Sequence, residues 1–174
     1  MNNTRKWSAA FFGAVILLAA VVVEPFEGDK AVGYRDPVGI PTAGRGHTGA
    51  DVVVGRFYDQ ATRDGWLWGD LTSHAKIVER CAPPNINKYQ AAAFTSFAFN
   101  TGAGRKAKGR DRGKDGFCTL KNGQMPTFLK KAWAGDWTGA CNGMLAWDKA
   151  GGKRLRGLTR RRHAERDLCM TEDK

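Results

Sequence analysis

The hydrophobic pattern changes character twice along the chain. From Trp7 to Val23 the sequence WSAAFFGAVILLAAVVV runs for 17 residues without a charge and ends at Glu24-Pro25. As a helix it would rise about 25 Å, at the lower limit for crossing the roughly 30 Å hydrocarbon core of a bilayer. Between Glu27 and Gly49 the pattern breaks up. Gly33, Gly39, Gly44, Gly46 and Gly49, with Pro37 and Pro41, punctuate this stretch too densely for a helix and predict short strands joined by tight turns. Beyond Tyr58 a helical period takes over. Trp66, Leu67, Leu71, Ala75 and Val78 recur at three- and four-residue intervals, which predicts a helix to Arg80 with a break near Gly69.

The same reading carries to the C-terminus. Pro83-Pro84 forces a turn, and Asn87 with Gln90 three residues later predicts a capped helix whose Ala93, Phe94, Phe97 and Ala98 belong to the core. Pro126 opens a short helix with Phe128, Leu129 and Trp133 inward and Gly135 at its end. Two further helices are expected, around Gly139 to Trp147 and from about Leu158 to Cys169.

The apolar run admits four readings: a cleaved signal peptide, a permanent anchor, a weak anchor that later leaves the bilayer, or the core helix of a soluble protein. Arg5 and Lys6 precede it and no basic residue follows closely, which favours a cytoplasmic N-terminus with the rest exported. In LAAVVVEP three β-branched residues follow the alanines, a poor cleavage site. Six of the 17 residues are Ala or Gly, so the hold on lipid is weaker than that of a Leu-rich anchor.

Charge adds a class of partner. Lys and Arg number 28 against 17 Asp and Glu, a formal net charge of +11, which draws the protein to nucleic acid, an acidic membrane face or a bacterial wall without choosing among them. Cys81, Cys118, Cys141 and Cys169 lack zinc-site spacing and fit two disulfides, which would place the domain outside the reducing cytosol. Of the three connectivities, Cys118–Cys141 with Cys81–Cys169 would staple a central hairpin and tie the C-terminal helix to the middle of the chain.

Candidate chemistry lies just past the apolar run. The glycine-rich hairpin can set Asp36 beside Thr42, while Glu27, at or just after the end of a helix, faces it across a cleft. Glycosidic cleavage needs an acid for the leaving oxygen and a carboxylate opposite to manage water or positive charge at the sugar carbon. Glu27 and Asp36 supply such a pair, although two carboxylates nine residues apart are by themselves usually a solvated surface.

The spacing Glu27-x8-Asp36-x5-Thr42, followed by Gly44-Arg45-Gly46-His47-Thr48-Gly49, closely resembles the signature of the phage-type lysozymes. Gln90 to Gly104, with its Asn100-Thr101-Gly102 stop, is similar to that family's central helix, and Trp147 to Glu165 to its C-terminal segment. The resemblance spans nearly everything after residue 26. It implies an α+β lysozyme-like fold: a small β-hairpin lobe and a larger helical lobe around a cleft, preceded by a transmembrane or releasable helix. Residues 1–25 would form the signal anchor and 26–174 the catalytic domain. The implied activity is hydrolysis of the bond between N-acetylmuramic acid and N-acetylglucosamine in peptidoglycan, ending in host lysis. Glu27 would be the general acid, Asp36 would orient or activate water, Thr42 would help hold it, and the product would be inverted.

No cofactor or metal is implied, nucleic acid is not expected as a partner, and the chain is expected to act as a monomer. Glu27 follows the apolar run by three residues, so an inserted run pins it at the membrane. This resembles endolysins with a signal-arrest-release segment, held at the inner membrane and released to the periplasm on depolarisation. The chain departs from many relatives in the basic segment Arg105 to Gly116, read as a flexible loop where they have a shorter turn. His47 and the Arg160-Arg161-Arg162 cluster are read as structural, and Trp66 and Trp68 as core. Two rivals stand: a non-enzymatic membrane disruptor using the +11 charge, and a lytic transglycosylase, against which Asp36 and Thr42 argue.

Overall fold

The computed structural model describes residues 6–36 and 39–173. Arg5, counted in the basic flank, and Pro37, counted in the turn punctuation, lie outside the described residues. The apolar run forms helix α1, Ala9–Val23, opened by Ser8, whose Oγ accepts a hydrogen bond from the Phe11 N–H at 3.2 Å. Val15, Ala19 and Val23 fall on one helical face and are fully buried. That face lies against helix α3, Lys88–Thr101, with a lesser contact to α2, Gln60–Cys81.

Helix α3 is the axis of the fold. Asn87 and Gln90 form the expected capping box, each side chain accepting from the other's backbone N–H. Gly102, with φ +73°, ends the helix in a left-handed conformation open to glycine. Ala91, Ala92 and Ala93 are fully buried, and so are Phe94 and Phe97. The two phenylalanines pack edge-to-face on Phe117, Phe128 and Trp147, with Phe97–Phe128 centroids 4.9 Å apart.

Helix α2 runs unbroken through Gly69, where a break was expected. Its buried positions Arg63, Leu67, Leu71, Ala75 and Val78 carry one stripe straight through, and Gly69 sits on the exposed face, where it costs only about 1 kcal/mol relative to alanine. Asp59 caps the helix by accepting from the Thr62 N–H at 2.8 Å. At 22 residues it spans about 33 Å, long enough to serve two cores: Trp66, near its start, packs on Ala43, Val52 and Tyr58, while Leu67 to Val78 join the main core. Trp68, expected in the core, is exposed.

The smaller core belongs to a hairpin of β1, Lys30–Arg35, and β2, Pro41–Gly44, antiparallel with Tyr34 opposite Thr42 and a register shift between Lys30 and Tyr34. Arg63 ties α2 to the segment before it, its Nε donating to Asp29 at 2.7 Å. Arg45 pairs with Asp64 on the same helix at 2.7 Å.

The helical lobe is completed by α4, Thr127–Trp133, α5, Trp137–Gly143, and α6, Arg156–Cys169. Helix α5 is shorter than expected and passes into a 3-10 turn, Met144–Ala146. A two-residue hairpin, β3 at Lys149–Ala150 and β4 at Lys153–Arg154, precedes α6. Residues 105–116, expected as a flexible loop, form a small hairpin with bridges Arg105↔Lys114 and Lys108↔Asp111.

The disulfides are Cys81–Cys118 and Cys141–Cys169, with Cα–Cα distances of 5.6 and 5.7 Å. This overturns the expected Cys118–Cys141 and Cys81–Cys169. Chain order suggested a stapled central hairpin, but the basic segment returns Cys118 to the C-terminal end of α2, and α5 packs on α6. Tertiary adjacency, not sequence proximity, sets the pairing.

Candidate active site

Glu27 follows a 3-10 turn, Glu24–Phe26, that begins where α1 ends. The turn carries the chain off α1 in extended conformation and leaves the Glu27 side chain at the junction of the two lobes. Its Oε1 accepts a hydrogen bond from Arg161 Nη1 on α6. On the other side stands the turn after β2: a methyl group on Gly46 would lie 3.5 Å from Glu27 Oε2. The carboxylate therefore touches the helical lobe through one oxygen and faces the hairpin lobe with the other.

Arg161 is itself fixed. Its Nε donates to Glu165 Oε1 at 3.1 Å and its Nη2 to the Ser96 carbonyl at 3.1 Å. Ser96 Oγ donates to Glu165 Oε1 at 2.8 Å, and Arg162, fully buried, lies 3.1 Å from Glu165 Oε2. Arg162 also donates to Asn100 Oδ1 at 2.7 Å. Burial raises the Glu165 carboxyl above its ordinary range against the pull of both arginines, and burial lowers the Arg162 guanidinium to about 10. An unpaired charge at such depth would cost several kcal/mol, and each of these buried charges is set against an opposite one. The reading of the arginine cluster as structural holds for Arg161 and Arg162. The i+4 and i+3 spacings of Arg161 and Arg162 to Glu165 were the available signal, but Ser96 and Asn100 were not foreseen as members.

Asp36 and Thr42 come together around Ile40. The Asp36 Oδ1 accepts from the Ile40 N–H at 2.8 Å, and the Thr42 Oγ1 donates to the Ile40 carbonyl at 3.0 Å. The backbone closes the same turn, with the Asp36 N–H donating to the Ile40 carbonyl at 3.0 Å. Thr42 is nearly buried. Because its hydroxyl hydrogen is committed to Ile40, its lone pairs remain as acceptors.

A concavity of about 380 Å³ opens beside Glu27, lined also by Phe26, Asn100, Leu155, Leu158 and Arg160. His47 sits apart from it, between Asp70 at 2.8 Å and Asp51 at 3.3 Å, and stacks on Trp66 with centroids 4.6 Å apart. It pins the hairpin lobe to α2, a structural role. Among the described residues no group of three or more His, Cys, Asp or Glu could hold a metal ion.

A hairpin lobe joined by one long helix to a helical lobe, with a carboxylate at their junction, is the lysozyme-like architecture. The chain belongs to the phage lysozyme family, whose model matches residues 24–165. It is a glycoside hydrolase and an endolysin, acting on peptidoglycan in lysis. It is 33% identical to the "SAR-endolysin" of Bacteriophage PS119 over 93% of this chain and 90% of that one. It is 31% identical to that of Enterobacteria phage P21 over 94% and 92%. Among solved structures, the active form of the P1 phage endolysin superposes with a TM-score of 0.72 at 22% identity, covering 94% of each chain. The secreted inactive form of that endolysin gives 0.53 at 20% identity, covering 95% of this chain and 96% of that one.

Proposed function

We propose that Glu27 is the general acid of a muramidase reaction in which Asp36 and Thr42 manage the attacking water. The bond cleaved is the β-1,4 link between N-acetylmuramic acid and N-acetylglucosamine. Arg161 holds Oε1 of Glu27, so the proton passes to the glycosidic oxygen from Oε2, the oxygen on the hairpin side. Thr42 accepts a hydrogen bond from the water, since its own hydrogen is given to Ile40, and Asp36 takes the water's proton as the water attacks the sugar carbon. Attack from the face opposite the leaving oxygen inverts that carbon.

The observation that carries this reading is the placement of Glu27 between Arg161 and Gly46, at the rim of an open cleft. Glu27→Gln keeps the shape and removes the proton donor. It is expected to lower clearing of purified peptidoglycan by at least about a hundredfold, the lower range for a general acid, with wild-type products one water heavier than anhydro ends. Equal clearing by both proteins would remove Glu27 as the acid, no clearing by either folded protein would point to membrane disruption instead, and anhydro products to transglycosylation.

Residues 1–25 act, on this proposal, as a signal anchor and residues 26–174 as a monomeric catalytic domain. In the anchored form the apolar run lies in the inner membrane with its N-terminus in the cytoplasm, and Glu27 is held at the periplasmic surface. Release to the periplasm lets α1 dock on α3, the arrangement described above. Three features support it: α1 and the following turn form a span of mean hydropathy 2.3, only 22% of that span is buried, and similar chains carry the name SAR-endolysin.

A further inference from the structure

We propose that a turn on the hairpin lobe, Val53 to Arg56 with Val32 and Phe57 beside it, is a second membrane contact, separate from α1, made with the anionic phospholipid surface of the bilayer that α1 occupies in the anchored form. Its reach to that bilayer rests on the anchor assignment above; its surface chemistry does not.

Three valines follow one another at 52–54. Val52 is buried in the small core, whereas Val53 and Val54 are exposed. Phe57 is 68% exposed, the most exposed aromatic ring among the described residues, and Val32, bridged to it across the edge of β1, is exposed as well. The four belong to one surface, because residues 55–58 run along β1: the Gly55 N–H donates to the Gly33 carbonyl at 2.8 Å and the Gly33 N–H to the Arg56 carbonyl at 2.9 Å. The turn is also held. Its Arg56 N–H donates to the Val53 carbonyl at 3.2 Å, and the Tyr58 hydroxyl accepts from the Val53 N–H at 2.7 Å while donating to the Asp51 carbonyl at 3.0 Å. Gly33 makes room for it, since a methyl group there would stand 2.2 Å from the Val53 carbonyl oxygen. A fixed turn thus presents valine and phenylalanine side chains to the outside.

Charge says what covers them. Arg56 lies over the Tyr58 ring at 5.5 Å and Lys30, on the strand that carries Val32, over the Tyr34 ring at 4.7 Å; neither is ion-paired among the described residues. The bordering acids are engaged, Asp51 with His47 at 3.3 Å and Asp59 as the cap of α2. Apolar side chains flanked by free cations match the interface of an anionic bilayer, where rings and methyl groups enter the headgroup layer and cations stay among the phosphates. Connectivity supplies the encounter. Val32 follows Val23, the last residue of the apolar run, by nine positions, a length of chain that cannot exceed about 32 Å. While α1 crosses the membrane the turn is always within reach of lipid, at an effective concentration that makes a weak contact sufficient. The contact holds the hairpin lobe against the membrane and slows departure of the enzyme once α1 leaves.

The test measures binding of the purified full chain to vesicles of phosphatidylglycerol and phosphatidylethanolamine, with phosphatidylcholine vesicles beside them. Wild type is expected to bind the anionic vesicles more tightly. Phe57→Ser should weaken that binding about tenfold, the worth of withdrawing most of one ring from the interface, and Val54→Ser about threefold. Arg56→Gln should weaken it about fivefold on anionic vesicles alone, while Arg110→Gln, the same charge change on the 105–116 hairpin, should change it by less than about twofold. Melting temperatures check folding, and Val54→Ser preserves the test if Phe57→Ser unfolds. Binding unmoved by Phe57→Ser and Val54→Ser, or an equal loss in Arg110→Gln and Arg56→Gln, would overturn the contact. So would a loss confined to pelleting with purified peptidoglycan, which would make the turn a sugar-binding surface. Wild type absent from the membrane fraction of cells, with the vesicle losses as expected, would instead overturn the anchor and leave the lipid-binding surface standing.

Discussion

Helices α1 and α3 are both apolar and lie side by side, yet they are used in opposite ways. Helix α3 buries nine consecutive residues, Gln90 to Ala98, on every side. Helix α1 is more hydrophobic but buries only Val15, Ala19, Ala20 and Val23, leaving Leu17 61% and Val21 71% exposed. No folded-state contact calls for leucine and valine on that outer face. Single exposed apolar residues are ordinary, but a whole helical face of them points to a second environment. A bilayer is the environment in which that face would be matched, and the alanines on the inner face suit both settings, small enough to pack on the alanines of α3 and apolar enough to sit in lipid. Helix α3 answers to one solvent; on the proposed anchoring, α1 answers to two.

Phe97 bears most of the packing that makes α3 the axis. Its ring lies against Phe128 and Trp147 and has no exposure, so Phe97→Ala is expected to cost about 3–5 kcal/mol through lost transfer energy and an unfilled cavity. The shift in denaturation midpoint of the released chain measures it. A loss under 1 kcal/mol would mean that α3 is not the packed axis.

A smaller effect is expected on the inner face of α1. Val15 is fully buried, and Val15→Ala removes two methyl groups, worth about 2 kcal/mol with little room for collapse. The same denaturation experiment sharpens the contrast. A cost near zero would show that α1 rests on α3 without contributing to the fold, and the released enzyme would not depend on docking it.

How far these features could be read from the sequence depends on the range of the interactions. The capping box at Asn87 and Gln90, the four-residue stripe of α2 and the hairpin around Asp36 and Thr42 are local, and the pattern of residues was enough to place them. The expected break at Gly69 weighed one weak helix former above a stripe that passes through it. The β3–β4 hairpin was missed although Gly151 and Gly152 both take positive φ, because the two-residue strands Lys149-Ala150 and Lys153-Arg154 are too short to give an alternation to read. The disulfides failed for a different reason: pairing needs distances between helices that sequence order does not contain. The site shows the same division. Glu27, Asp36 and Thr42 were singled out by spacing and resemblance, whereas the roles of Ser96 and Asn100 appear only once α3 and α6 are side by side.

The smallest effect on folding should bring the largest effect on location. Leu17 points outward, so Leu17→Lys should change the stability of the released fold by no more than about 0.5 kcal/mol, as exposed substitutions do. In the bilayer the same lysine falls near the centre of the span and disfavours insertion by about 2.5–3.5 kcal/mol. Because the run is short and rich in alanine, it has little hydrophobic surplus to absorb that cost. Cell fractionation before and after membrane depolarisation separates the two demands. Wild type is expected in the membrane fraction first and in the periplasm afterwards, while Leu17→Lys should be recovered mainly outside the membrane from the start, with an unchanged melting temperature once purified. A lysine variant that stays in the membrane as wild type does would remove lipid as the reason for the exposed face. A wild type that stays there after depolarisation would leave α1 an anchor without release, and its docking on α3 without a role in the cell.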